Sequence, residues 1–104
     1  MKKEKDSVIW MGAGQIGLAI VRRIASGKKI IIGDKSMAHA QAAADLLNTT
    51  GFDAVAMETD LSSRESILSV IAEAQKYGNI KYLVNAAYGV RTGWKWSLRF
   101  LPRQ

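Results

Sequence analysis

Residues 12–17 read Gly-Ala-Gly-Gln-Ile-Gly and follow directly on the apolar run Val8-Ile9-Trp10-Met11. A short buried-type strand that feeds a glycine-rich turn and then an amphipathic stretch constrains the fold more than anything else in the chain. It opens a βαβ unit whose turn cradles phosphate, the first half of a dinucleotide site. Gly12 permits the tight turn. Gly14 lets the backbone approach a pyrophosphate with no side chain between, and Gly17 lets the next helix lie close on the strand. That helix starts at Gln15 and Ile16, where free N–H groups and a partial positive charge face an anion.

Strand and helix signals then alternate to residue 84. Ile16, Ile20 and Ile24, with Ala19 between them, are expected on one face of the first helix, the face toward the core, with Gly27 as C-cap. Lys29–Gly33 holds Ile30-Ile31-Ile32, a β-branched run suited to a parallel strand covered on both sides. Ser36 is the expected cap of a second helix over Met37–Thr49, closed by Gly51. Ala54–Thr59 alternates, with Val55 and Met57 on one side, and reads as a strand nearer an edge. Ser62-Ser63-Arg64-Glu65 reads as a capping box for a third helix whose apolar face is Ile67/Leu68, Ile71 and Ala74 and which stops at Gly78. Ile80–Val84 is a fourth strand. Right-handed βαβ units of this kind give an α/β fold, a Rossmann-like parallel sheet of expected order 3-2-1-4 flanked by helices.

Composition narrows the class. At 104 residues, 48% hydrophobic and 23% charged, the chain has the balance of a soluble globular domain. It has no cysteine, which excludes disulfides, thiolate metal sites and a cysteine nucleophile and fits a cytoplasmic setting. No apolar run approaches the roughly 20 residues of a membrane helix, and no signal-peptide pattern precedes the first strand. The net charge of +6 suggests nucleic acid until it is located. Residues 91–104 carry Arg91, Lys95, Arg99 and Arg103 and no acid, so the remainder is nearly balanced and nucleic-acid binding is not expected.

Further cofactor signals sit at the strand ends. Asp34 closes the second strand, 22 residues after Gly12, where a dinucleotide fold places the carboxylate that accepts the adenosine ribose hydroxyls. A carboxylate there repels a 2′-phosphate, so NAD is expected over NADP, with Lys35 offsetting part of that repulsion. Asp60 and Leu61 follow the third strand. The Asp60 side chain is placed to meet an adenine amino group and the Leu61 backbone to offer polar groups. As a plain alternative, Asp34 is a turn residue and Asp60 belongs to the cap of the third helix. Asn85, Ala86 and Ala87 follow the fourth strand.

Taken together, Gly12–Gly17, Asp34, Thr59-Asp60-Leu61-Ser62 and Leu83-Val84-Asn85-Ala86-Ala87 resemble a short-chain dehydrogenase/reductase over about residues 7–87. The resemblance implies NAD(P) bound across the sheet, and a Ser, a Tyr and a Lys that move a proton while hydride transfers. The chain departs from the family pattern in its tighter glycine spacing. It departs again after Asn85, where Ala86-Ala87-Tyr88-Gly89 replaces Asn-Ala-Gly.

The family's Ser and Tyr-x-x-x-Lys lie beyond its fourth strand, where this chain has residues 88–104. The literal match Tyr77-Gly78-Asn79-Ile80-Lys81 is expected to be coincidental, because Gly78-Asn79 breaks the helix that would align the two side chains. His39, the single histidine, reads as a surface residue. Residues 1–90 are therefore expected to form a truncated dinucleotide-binding domain without a complete catalytic set. Residues 91–104 form a basic aromatic tail in which Trp94, Trp96, Leu98 and Phe100 alternate with polar residues. The alternative reading is a non-enzymatic interaction module acting through that tail. An uncovered edge on the fourth strand is expected to favour self-association.

Overall fold

A computed structural model describes residues 5–86; the expectations for Ala87 and for the tail at residues 91–104 fall outside them. In chain order the elements are β1 (Ser7–Met11), α1 (Gln15–Ile24), β2 (Lys29–Asp34), α2 (Met37–Thr49), β3 (Asp53–Glu58), α3 (Arg64–Gln75) and β4 (Ile80–Asn85). The four strands form one parallel sheet in the order β3-β2-β1-β4, as the alternation predicts. Pairing is in register from Val8↔Ile30 to Met11↔Gly33 on one side of β1. On the other side it runs from Val8↔Tyr82 to Met11↔Asn85, after an irregularity between Ser7 and Val8.

Both faces of the sheet are covered, which is why β1 and the isoleucines of β2 read as unbroken apolar runs. Val8, Trp10, Ile30, Ile32 and Val84 point to one face and meet Val21 and Ala25 at α1 and Ala40, Ala44 and Leu47 of α2. Ile9, Met11 and Ile31 point to the other and meet Val70 and Ala74 of α3. Val55 and Met57 join this second cluster, so the alternation of β3 is real and β3 is an edge strand. Among the described residues no helix is long and apolar enough to cross a membrane.

Two local expectations are corrected. The inward face of α1 is Gly17 and Val21, with Leu18 and Ile24 packed at its borders. Ile16 and Ile20 lie outside it and are 72% and 42% exposed. The helix presents its smallest residue to the sheet because Trp10 already fills the space beneath it. A Cβ on Gly17 would stand 2.1 Å from Trp10 Nε1. The cap of α3 is Ser63, whose hydroxyl accepts from the Ser66 N–H, so the box of Ser62 with Glu65 is not formed. Here Ser62 turns back to Asp60, and Leu68 is exposed where the apolar face was expected.

At the amino ends of the strands Asp53 accepts from Lys29 at 2.8 Å and from Lys5 at 2.9 Å. These bonds, Lys29 first, hold the Asp53 carboxyl below its ordinary range. Lys29 also lies over the Tyr77 ring, 4.7 Å from its centre. This charged cluster closes the end of the sheet remote from the glycine turn.

Candidate functional site

At the carboxyl end the ladder continues past the strands. The Gly12 N–H donates to Gly33 O at 2.8 Å, Thr59 N–H to Asp34 O at 2.8 Å and Ala86 N–H to Met11 O at 2.9 Å. These bonds hold the four loops side by side. They bring together the glycine turn, Asp34-Lys35-Ser36, Thr59-Asp60-Leu61 and Asn85-Ala86, the segments that the sequence singles out. The connections from β1 through α1 to β2 and from β2 through α2 to β3 step outward on one side, and the crossover from β3 through α3 returns past β1 to β4 on the other, so the β1/β4 boundary is the switch point where open α/β sheets bind ligands.

Gly12 has φ +86°, which only glycine adopts cheaply. Its carbonyl accepts from the Gly14 N–H at 2.8 Å, closing the turn. The Ala13 N–H donates to Asp34 Oδ2 at 2.8 Å. Gly14 is the N-cap of α1 and supplies no side-chain bond. The first-turn N–H groups, those of Gln15, Ile16 and Gly17, have no acceptor within the helix. The other two helices are capped by serine hydroxyls, Ser36 on α2 and Ser63 on α3.

Gly14 has an ordinary negative φ of −109°, and a Cβ built on it would meet no atom within 4 Å. Neither backbone strain nor internal packing calls for glycine here. What the missing side chain leaves open is the approach to the uncapped start of α1.

Asp34 is half-buried, with its second oxygen, Oδ1, accepting from the Ser36 N–H at 2.8 Å. Asp60 repeats that turn: its Oδ1 accepts from the Ser62 N–H at 2.9 Å and from the Ser62 hydroxyl at 2.6 Å. The Ser62 hydroxyl, then the Ser62 amide, hold the Asp60 carboxyl below its usual range, and Lys35 adds to the effect. Lys35 therefore lies within electrostatic reach of Asp60 and is itself exposed. The Asp60 side chain is exposed too, and cap-region and ligand roles are compatible in it. Leu61 packs on the α3-side cluster, which anchors this turn. Asn85 ends β4 opposite Met11 and is exposed. The Cβ of Ala86 lies 3.1 Å from where a Cβ of Gly17 would stand, so α1 and the end of β4 meet at that glycine.

The Tyr-x-x-x-Lys match is placed at the wrong end. The Tyr77 hydroxyl donates to Glu73 Oε2 at 3.3 Å, within the amino-end cluster, and Lys81 is exposed at the start of β4. His39 is exposed in the first turn of α2, where its N–H donates to the Ser36 hydroxyl. Among the described residues no group of His, Cys, Asp or Glu could hold a metal ion.

Sequence reasoning missed the bond from Ala13 to Asp34 and the role of Trp10. The turns at Asp34 and Asp60 had a readable signal, since Asp-x-Ser favours a carboxylate bond to the amide two residues on. Nothing local marks Ala13 as the second partner of Asp34.

A sequence model of the short chain dehydrogenase family matches residues 6–97. The chain is 32% identical over 83 residues to the short-chain dehydrogenase/reductase bsc3 of Alternaria brassicicola, covering 80% of this chain and 30% of that protein. It is similar to the 3-hydroxyacyl-CoA dehydrogenase type-2 of Mycobacterium avium, with TM-score 0.66 and 32% identity, covering 86% of this chain and 37% of that one. It shares the fold of a single-residue variant of the actinorhodin polyketide ketoreductase crystallised with NADPH, with TM-score 0.74 and 24% identity, covering 85% and 35%. The chain thus spans about a third of the length of these relatives.

Proposed function

The chain belongs to the short-chain dehydrogenase family, and from that premise we propose that it is the nicotinamide-dinucleotide-binding part of an oxidoreductase. The observation that carries the reading is Gly14: a glycine that the fold does not require, in front of a helix start with no side-chain cap among the described residues. An anion approaching there meets the amides of Gln15 and Ile16 and the positive end of α1. Asp34 is positioned for the adenosine ribose, Asp60 for the adenine edge with the Leu61 backbone beside it, and Asn85-Ala86 for the part of the cofactor that crosses the switch point. The dinucleotide, when bound, supplies the hydride acceptor or donor. The residues here bind and orient it. Asp34 favours NAD over NADP by repelling a 2′-phosphate, with Lys35 moderating the effect.

By itself the chain is expected to bind cofactor and to turn nothing over, because Tyr77 and Lys81 stand at the far end of the sheet. We further propose a cytoplasmic setting and self-association along the outer edge of β4, where Tyr82 and Leu83 are exposed.

Calorimetric titration of the full chain with NAD, beside a Gly14→Ser variant, tests the cofactor reading. Serine at this N-cap satisfies a first-turn amide as Ser36 and Ser63 do, so stability holds or rises by a few tenths of a kcal/mol. The same hydroxyl occupies the anion's place, so NAD affinity falls by about tenfold or more. Undiminished NAD binding in the variant, or none in the parent chain at millimolar concentration, removes the reading.

A further inference from the structure

The Asp34 carboxylate sits between two loops and bonds to both. Oδ2 accepts from Ala13, 21 residues away in the glycine turn, and Oδ1 accepts from Ser36 at the start of α2, each at 2.8 Å. The Asp34 carbonyl accepts from Thr59, so a third loop is joined to the same residue. Apart from Asp34, the glycine turn is held mainly by backbone bonds. Gly12 donates to the neighbouring strand and accepts from Gly14, and the Gly14 carbonyl accepts from the Leu18 N–H at 3.0 Å; Ala13 packs at the border of the core, and a Cβ on Gly14 would meet no atom within 4 Å.

A glycine-rich turn has many backbone conformations of similar energy. A charge-assisted bond to its middle residue selects one of them, because ionised acceptors bind N–H groups more strongly than neutral ones. With the Ala13 amide turned inward to Asp34, the turn hands the chain to α1 so that the Gln15 and Ile16 amides face outward.

We propose that Asp34 is a positioning residue for the phosphate turn: its carboxylate fixes the Ala13 amide and thereby pre-forms the anion site of Gln15 and Ile16, independently of any contact with a ribose. The anion role of that site rests on the function proposed above; the fixing of Ala13 does not.

The sign of one measurement separates this role from simple charge. Asp34 places a negative charge close to an anion site. On charge alone, Asp34→Asn strengthens the binding of inorganic pyrophosphate, which has no ribose for Asp34 to meet. If Asp34 shapes the turn, the same substitution weakens it, since the amide side chain is uncharged and offers one acceptor for two N–H groups.

The experiment uses the full chain and the Asp34→Asn and Asp34→Glu variants, with amide hydrogen exchange by NMR and titration with inorganic pyrophosphate. In Asp34→Asn the Ala13 amide is expected to exchange about tenfold faster or more, while the Ile31 amide in the core of β2 keeps its protection. The Gln15 and Ile16 resonances are expected to need several-fold more pyrophosphate to shift. Asp34→Glu retains the charge and serves if Asp34→Asn does not fold; its longer side chain cannot meet both amides in the same geometry, so Ala13 exchange again rises. Unchanged Ala13 exchange in a folded variant overturns the proposal, as does tighter pyrophosphate binding by Asp34→Asn. If the parent chain binds no pyrophosphate, the anion-site half of the proposal falls together with the cofactor reading. Faster Ala13 exchange then still upholds the fixing of the turn.

Discussion

Trp10 sets the closest approach between α1 and the sheet. Its indole is buried on the inner strand β1, and its Nε1 is buried with no hydrogen-bond partner among the described residues. The ring fills the space where a side chain at residue 17 would stand, so the third glycine of the turn answers to one particular neighbour. An alanine at that place meets a ring that is itself buried and packed in the core. Gly17→Ala is expected to cost about 1–3 kcal/mol in urea unfolding, the usual range for overpacking. In a Trp10→Phe background, where the smaller ring leaves room and removes the unpartnered N–H, the same change should cost at least about 0.5 kcal/mol less. Equal costs in the two backgrounds would show that the crowding lies elsewhere.

α1 carries its apolar residues on two faces, and packing decides which one is buried. Ile16 and Ile20 are spaced like a core stripe but stay exposed, while Gly17 and Val21 face Trp10 and the sheet. Bulk alone is therefore a poor guide to orientation; the helix turns its narrowest side toward the widest side chain beneath it. Val21→Ala removes two buried methyl groups and is expected to cost about 2–3 kcal/mol. Ile16→Ala should fall within about 0.5 kcal/mol of the parent. Chemical denaturation of both variants reads the difference, and a reversed order would restore the isoleucine face as the inner one.

The whole molecule has two dissimilar ends. At the amino ends of the strands Lys5, Lys29, Asp53 and Tyr77 tie the sheet together. At the carboxyl ends the described loops present the first-turn amides of α1, which have no acceptor within the helix, and the carboxylates of Asp34 and Asp60. The sheet is also asymmetric across its width. β3 is covered by α2, whereas β4 exposes Tyr82 and Leu83, Leu83 by 63%. Exposed apolar side chains on an edge strand favour pairing with another strand. Sedimentation of the chain over a range of concentrations is therefore expected to show self-association, and Leu83→Lys should reduce it without loss of fold. Concentration-independent monomer in the parent chain would rule out this use of the edge.

Much of this was legible along the chain, and the legible part has one physical basis. Strand runs, helix spans, the Ser36 cap and the position of Asp34 at a strand end depend on backbone preferences over a few residues. The order 3-2-1-4 follows from such units once crossovers are right-handed. The family resemblance, the sheet and the end of the sheet that carries the candidate site are therefore all readable from local sequence. Only packing fixed the rotation of α1 over Trp10, the choice of Ser63 over Ser62 as cap and the reach of Asp34 across 21 residues to Ala13. Each of these depends on the volume and separation of segments distant in sequence, and those quantities exist only after the chain has packed.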